Sequence, residues 1–240
     1  MDADDAVSDH YRSKRVLDLA VLGLAAVPAG LIGLGCAAAI KLTSRGPVLF
    51  RQTRVGHRGQ HFEVYKFRSM VDGPNPVVPE PGRITRVGAV LRRWSLDELP
   101  QLLNVAKGDM SVVGPRPTLG YQVDRYTPEQ SRRLAVRPGM TGHAQVNGRN
   151  ALSWAERIAF DIDYVERQSL RMDLSIIART AATLLSGDGV EGHEATDPLV
   201  DLSGPTVDLD PIDLDRIDHT PAPSPDDRSG PTASLSTRRW

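Results

Sequence analysis

The residues best suited to chemistry lie in Ser95-Leu96-Asp97-Glu98-Leu99-Pro100-Gln101, where two carboxylates stand side by side ahead of a leucine-rich run. A carboxylate can attack phosphorus and form an acyl phosphate, dividing one hard transfer into two easier steps. A second carboxylate beside it can hold a divalent cation or assist proton transfer. On a pyrophosphate diester such chemistry also needs cations to neutralise the phosphoryl oxygens. Lys66, Arg92, Arg116, Arg137 and Arg149 are available for that role. Arg116 sits in Gly114-Pro115-Arg116-Pro117, where flanking prolines leave its backbone little freedom to lose.

Several elements must position these groups. Ser95 with Glu98 three residues later has the form of a capping box, so a helix is expected to start here. Pro100 leaves two registers open, with Ser95 or Asp97 as the N-cap. Both put the acidic pair at a helix N-terminus, which favours negative charge and phosphate alike. Pro47 to Phe67 reads as a β-hairpin turning at Gly56-His57-Arg58-Gly59, with Phe62, Val64 and Lys66 on one strand face. Lys66 ends a row that would otherwise be buried, so it needs a charged partner. His57 and His61 flank the turn without further ligands and read as solvated. Residues 72–83, rich in Pro and Gly, form a loop near the acidic pair and a candidate lid.

Beyond the central helix, Met110 to Val113 is a short strand candidate, and Thr127-Pro128 opens a helix that ends by Val136-Arg137-Pro138-Gly139. Gly142 to Asn150 reads as a polar, glycine-punctuated loop. Ser153 to Glu156 is a second capping box, opening an amphipathic helix through Ile158, Ile162 and Val165. A last helix, about Asp173 to Ser186, carries Leu174, Ile177, Ala181, Leu184 and Leu185 on one side and stops at Gly187.

Charge is unevenly spread. The formal net charge is -1, yet residues 187–240 hold 12 acidic against 4 basic residues, while residues 11–186 hold 25 basic against 14 acidic. A basic core suits phosphate substrates, nucleic acid or an anionic leaflet. The tail, poor in aromatics and rich in Pro, Asp, Ser and Thr, reads as mostly disordered and dispensable for catalysis beyond about Glu194. Cys36 is the single cysteine, which excludes a disulfide framework and fits a reducing compartment.

Val16 to Leu42 is almost uninterrupted apolar sequence, long enough to span a bilayer. Lys14 and Arg15 precede it and Lys41 and Arg45 follow it, so the positive-inside rule would keep both ends in the cytoplasm. Pro28, near the middle, removes a backbone bond and bends a helix. A re-entrant helix satisfies both features, and a straight anchor is the alternative. Asp18 in the apolar run argues against a secretory signal. The chain divides into an acidic lead (1–13), a membrane helix (14–45), a catalytic domain (46–186) and an acidic tail (187–240). Its fold class is α+β, mostly α. No Walker loop, no strand-linked Gly-x-Gly-x-x-Gly and no His-Glu-x-x-His occurs.

From Lys14 to about Ser186 the chain resembles the monotopic phosphoglycosyl transferases, the bacterial sugar transferases that include undecaprenyl-phosphate hexose-1-phosphate transferases. The resemblance rests on Lys14-Arg15-Val-Leu-Asp18, Gly46-Pro-Val-Leu-Phe50-Arg51-Gln52, Tyr65-Lys66-Phe67-Arg68-Ser69-Met70 and Ser95 to Gln101. It continues in Gly108 to Pro117, Arg137-Pro-Gly-Met-Thr-Gly142 and Ala144 to Asn150, with Asp161 and Asp173 at family spacing.

This resemblance implies a two-step reaction. Asp97 would attack the sugar-bearing phosphate of a nucleoside diphosphate sugar, expected to be a UDP-sugar, and release a nucleoside monophosphate. Polyprenol (undecaprenyl) phosphate would then take the sugar phosphate from Asp97. The same resemblance implies a Mg²⁺ ion beside Glu98 and Asp97, phosphate on Arg116, and roles in the site or its support for Pro117, Asp161 and Asp173. It implies a helix broken at Pro28 and a domain on the cytoplasmic face of the bacterial inner membrane, opening a glycan or exopolysaccharide pathway. Nucleic acid is not among the implied partners, and a homo-oligomer is compatible. Val27 stands where the family often has Ser before the proline, and His143 where Trp is common. Competing readings are a membrane-bound Mg²⁺-dependent phosphohydrolase and a non-catalytic membrane-anchored interaction module.

Overall fold

The computed structural model describes residues 13–71, 82–148 and 152–186. Most of the expected lid loop, Arg149 and the acidic tail lie outside these residues. The described chain is mostly helical, with two small two-stranded sheets.

The apolar run forms one 30-residue helix, α1 (Lys14–Thr43), with Pro28 inside it. Its 18-residue apolar window has mean hydropathy 2.1 and is only 6% buried. Leu24, Val27, Leu31 and Leu34 are all exposed, an apolar surface far beyond what water favours. The two ends of α1 behave differently from its middle. At the N-terminal end, Lys14 Nζ donates to the Val113 carbonyl (2.7 Å) and the Tyr164 hydroxyl (3.0 Å) and pairs with Asp173. Asp18 Oδ1 accepts from Ser111 Oγ (2.8 Å) and the Val112 N–H (2.9 Å). Arg15 donates to the carbonyls of Val105 and Ala106 at a helix C-terminus, where cations are favoured. At the other end, Cys36 and Ile40 join a core cluster with Phe67 and Leu91.

The expected hairpin is present: β1 (Leu49–Val55) pairs antiparallel with β2 (His61–Phe67), with Phe50 opposite Lys66, Gln52 opposite Val64 and Arg54 opposite Phe62. Arg58, at φ 52°, and Gly59, at φ 76°, turn the chain. Arg68 then fixes the hairpin to the end of α1 by donating to the Ser44 carbonyl (3.1 Å) and hydroxyl (2.8 Å).

At the acidic pair the structure corrects the sequence expectation. Helix α2 (Arg86–Arg93) ends before Ser95, which adopts a left-handed conformation (φ 53°) and makes no capping bond. Leu96–Gln101 is a 3₁₀ segment with Asp97 inside it, and only then does α3 (Leu102–Lys107) begin. The capping box fails because Glu98 turns toward Lys66 and Arg116 instead of back toward Ser95. Two ion pairs outweigh one capping bond.

Strand β3 (Ser111–Val113) pairs in parallel with β4 (Gly139–Thr141), a partnership the sequence did not reveal. The connection carries α4 (Gly120–Val123) and α5 (Pro128–Ser131), the latter capped by Thr127 as expected. A Cβ at Gly114 would stand 2.4 Å from the Arg137 carbonyl, so only glycine permits this close crossing. The expected loop at Gly142 is in part a helix, α6 (His143–Asn147), whose Asn147 side chain bonds back to the His143 carbonyl (2.8 Å). Helix α7 (Trp154–Arg167) starts at the expected Ser153–Glu156 capping box.

Helix α8 (Leu170–Ser186) starts earlier than expected, and the face it buries only overlaps the expected one, keeping Ile177 packed against the main core. Asp173 and Ile176 point inward, while Leu174 is half exposed and Ala181 is exposed. The Lys14 ion pair sets this rotation, since a carboxylate this deep must keep its partner. The main core gathers Val64, Val105, Met110, Val113, Tyr164, Val165 and Ile176 behind the hairpin.

Candidate active site

Lys66 on β2, Glu98 in the 3₁₀ segment and Arg116 after β3 converge on one carboxylate. Lys66 Nζ lies 2.8 Å from Glu98 Oε1, giving the strand-end lysine the charged partner it required. Arg116 donates through NH2 to Oε1 (2.5 Å) and through NH1 to Oε2 at 3.5 Å. Burial opposes the charge on Glu98, but Arg116 and Lys66 override it and hold the carboxyl far below its usual range. Glu98 is therefore a fixed anion.

Asp97 has the opposite surroundings. Among the described residues no hydrogen bond or ion pair reaches its carboxylate. Burial and the neighbouring Glu98 charge push its carboxyl above the ordinary value, opposed by Lys66, Arg92 and Arg116. Two adjacent carboxyls are thus driven apart in acidity, a pattern typical of functional pairs.

Asp97 opens into a cleft of about 210 Å³ that Lys66 and Arg92 also line, with Phe50, Gln52 and Phe67 on the hairpin side. Arg92 comes from the last turn of α2, and the left-handed Ser95 swings the chain from that turn to Asp97. Cations and a free carboxylate along a mixed polar and apolar wall suit a phosphorylated ligand carrying an apolar portion.

The Arg116 loop is held from behind. Arg133 donates to the Arg116 carbonyl (3.0 Å) and the Tyr126 hydroxyl (2.6 Å), and it forms a buried ion pair with Asp161. Asp161 thus lies behind the loop and Asp173 lies at the foot of α1, each as a buried ion-pair partner. The Pro117 carbonyl takes a long contact from Arg54 (3.4 Å). Arg137 is half-buried just before β4 and is not among the cations acting on Asp97 or Glu98. His143 packs edge-on against Phe160 and approaches Asp163 at 3.3 Å.

Sequence reasoning missed three supporting groups. Asn104, fully buried, donates to the Glu63 carbonyl (2.6 Å) and accepts from the Tyr65 N–H (3.3 Å), fixing the strand that carries Lys66. Arg133 is the second. Arg54 is the third, and strand alternation could have found it, since it shares a face with Gln52 and Phe50.

The sequence model of bacterial sugar transferases matches residues 9–187 of this chain. The chain belongs to that family. As a bacterial phosphoglycosyl transferase it has well-matched relatives. It is 42% identical over 181 residues to the uncharacterized sugar transferase EpsL of Bacillus subtilis, covering 74% of this chain and 90% of the relative. It is 48% identical over 188 residues to the UDP-glucose:undecaprenyl-phosphate glucose-1-phosphate transferase of Caulobacter vibrioides, covering 73% and 70%. With the undecaprenyl-phosphate galactose phosphotransferase of Salmonella typhimurium it shares 42% identity over 164 residues, 60% of this chain and 34% of that longer one. The phosphoglycosyl transferase match covers α1 and every described element around Asp97.

Proposed function

We propose that this transferase moves a sugar 1-phosphate from a nucleoside diphosphate sugar, a UDP-sugar in the first instance, to undecaprenyl phosphate through a covalent intermediate on Asp97. The observation that carries the reading is the Asp97 carboxylate, unpaired among the described residues, on a cationic cleft next to a Glu98 already locked by Lys66 and Arg116. In the first step an Asp97 oxygen attacks the sugar-bearing phosphorus, and the bond to the bridging oxygen breaks, releasing a nucleoside monophosphate. In the second, the phosphate oxygen of the acceptor attacks the same phosphorus and frees Asp97. Lys66, Arg92 and Arg116 neutralise the charge on the phosphoryl oxygens in both steps.

The donor set suits Mg²⁺, which takes one or two carboxylates and completes its shell with phosphate oxygens and water. Among the described residues Glu98 Oε2 has only the 3.5 Å contact from Arg116 and Asp97 is unpaired, so these two would hold the ion. When bound it would add positive charge at the diphosphate. Among the described residues no cluster of three or more His, Cys, Asp or Glu competes for it.

The membrane relation follows from α1. Lys14, Arg15 and Asp18 at one end and Cys36 and Ile40 at the other pack against the same domain. A helix crossing the bilayer would have to detach one of those ends, which supports a re-entrant helix at Pro28. The domain then faces the cytoplasm, where lipid phosphate and soluble donor meet, at the start of a glycan such as an exopolysaccharide.

The test is a panel of nucleotide sugars with undecaprenyl phosphate, read as nucleoside monophosphate release and label in the lipid phase. Release of monophosphate with lipid-linked label from at least one donor is expected. Label appearing as free sugar phosphate in water would make the protein a hydrolase instead.

A further inference from the structure

Beside the site, β1 carries an arginine for which the proposed reaction has so far given no role. Phe50, Gln52 and Arg54 alternate onto the same hairpin face as Lys66, which stands directly opposite Phe50. Phe50, Gln52 and Lys66 line the cleft, so Arg54 continues that row at the next step, about 7 Å along the strand. Its guanidinium is aimed by Gln52, whose Oε1 accepts from both Nε (3.1 Å) and NH2 (2.6 Å). Among the described residues NH1 has only a long contact to the Pro117 carbonyl, at 3.4 Å. The antiparallel bridge between Val55 and Thr118 clamps this end of β1 against the Arg116 loop.

Arg54 is half-buried, yet its hydrogen-bonding partners are a neutral amide and a carbonyl rather than a carboxylate. Burial and the nearby Arg116 charge lower its pKa to about 10, against weaker help from Tyr121 and Glu98. A guanidinium kept this way, beside a second one, is a group awaiting an anion. Charge in the site points the same way. Lys66, Arg92 and Arg116 act on Asp97, Lys66 and Arg116 hold Glu98, and Arg54 adds a further cation within reach of Glu98, so the side chains alone leave positive charge that suits an anion.

We propose that Arg54, aimed by Gln52 beside Arg116, binds phosphoryl oxygens, so that two guanidiniums from different elements grip the reacting phosphate chemistry from one side. The anion is either the diphosphate of the donor or the phosphate of the acceptor. The proposal rests on the phosphoryl-transfer reading above, and NH1 is the donor nearest to being free.

The experiment compares the wild-type chain with Arg54→Gln, Arg54→Lys and Gln52→Ala in three measurements. These are competition by uridine diphosphate, the monophosphate burst without acceptor, and KM for undecaprenyl phosphate. Thermal unfolding is followed for each variant. Arg54→Gln is expected to unfold at the wild-type temperature and to lose about 10-fold or more in one arm, consistent with a charged contact. Loss in competition and burst assigns the donor diphosphate; loss confined to KM for the lipid assigns the acceptor. Arg54→Lys should recover part of that loss, and Gln52→Ala should show a smaller loss in the same arm. If Arg54→Gln does not fold, Arg54→Lys decides, with a several-fold loss expected in one arm. Values within twofold of wild type in all arms for a folded variant would overturn the assignment. A wild-type chain that releases no monophosphate from any donor would sink the transferase reading instead, while direct binding of uridine diphosphate to the wild-type and Arg54→Gln chains, measured by calorimetry, would still read Arg54.

Discussion

Arg116 and Glu98 are joined by a forked contact, NH2 to Oε1 at 2.5 Å and NH1 to Oε2 at 3.5 Å, while the residue before Glu98 keeps its carboxylate unpaired among the described residues. Neighbours in sequence thus receive opposite environments. One carboxylate serves as a fixed counter-charge and the other is left accessible to a substrate.

Asp97→Asn is expected to abolish turnover while leaving folding and membrane binding intact, because the amide keeps the shape but is a poor nucleophile. Glu98→Gln should also be severely impaired, since it leaves Lys66 and Arg116 without their anion. Mass spectrometry of donor-quenched protein checks the roles. A phosphosugar adduct on any residue other than Asp97 refutes them.

Arg116→Lys should lower kcat/KM by about 10-fold or more, equivalent to about 1.4 kcal/mol or greater. Lysine keeps the charge but cannot make two parallel bonds to a carboxylate or phosphate. Unchanged kinetics in this variant would remove Arg116 from the site.

The buried pair Lys14–Asp173 ties the first turn of α1 to α8. Asp173→Leu alone should destabilise the protein by about 3–5 kcal/mol, because it strands a buried ammonium. The double change Lys14→Met with Asp173→Leu should recover much of that loss. Thermal unfolding in detergent measures both, and a double variant no better than the single one would show that Lys14 does not depend on Asp173.

Topology is open to direct labelling. With Cys36→Ala as background, Ala6→Cys and Thr43→Cys are expected to resist a membrane-impermeant thiol reagent in intact cells and to react once cells are opened. Labelling of Ala6→Cys from outside, with Thr43→Cys protected, would mean that α1 spans the membrane.

The hairpin, the helix starts at Thr127 and Ser153, the apolar helix with Pro28 and the acidic pair were all legible in the sequence. Each is governed by local rules: strand alternation, a cap with its partner three residues on, or an unbroken apolar run. Lys66 was legible too, because a cation at the end of a buried row demands a partner wherever the chain folds. The identity of that partner was not. Glu98 had a local use as a capping residue, and only the approach of β2 and the Arg116 loop turned it away from Ser95. The same holds for α8, whose expected apolar face keeps Ile177 against the core but is rotated so that Asp173 and Ile176 are the buried residues. Tertiary structure decided these points because ion pairs between residues 18 to 159 positions apart outweigh single turns of local preference. Sequence spacing carries no record of such distances. The residue types set the chemistry, and the fold decided which of two neighbouring carboxylates would be left free.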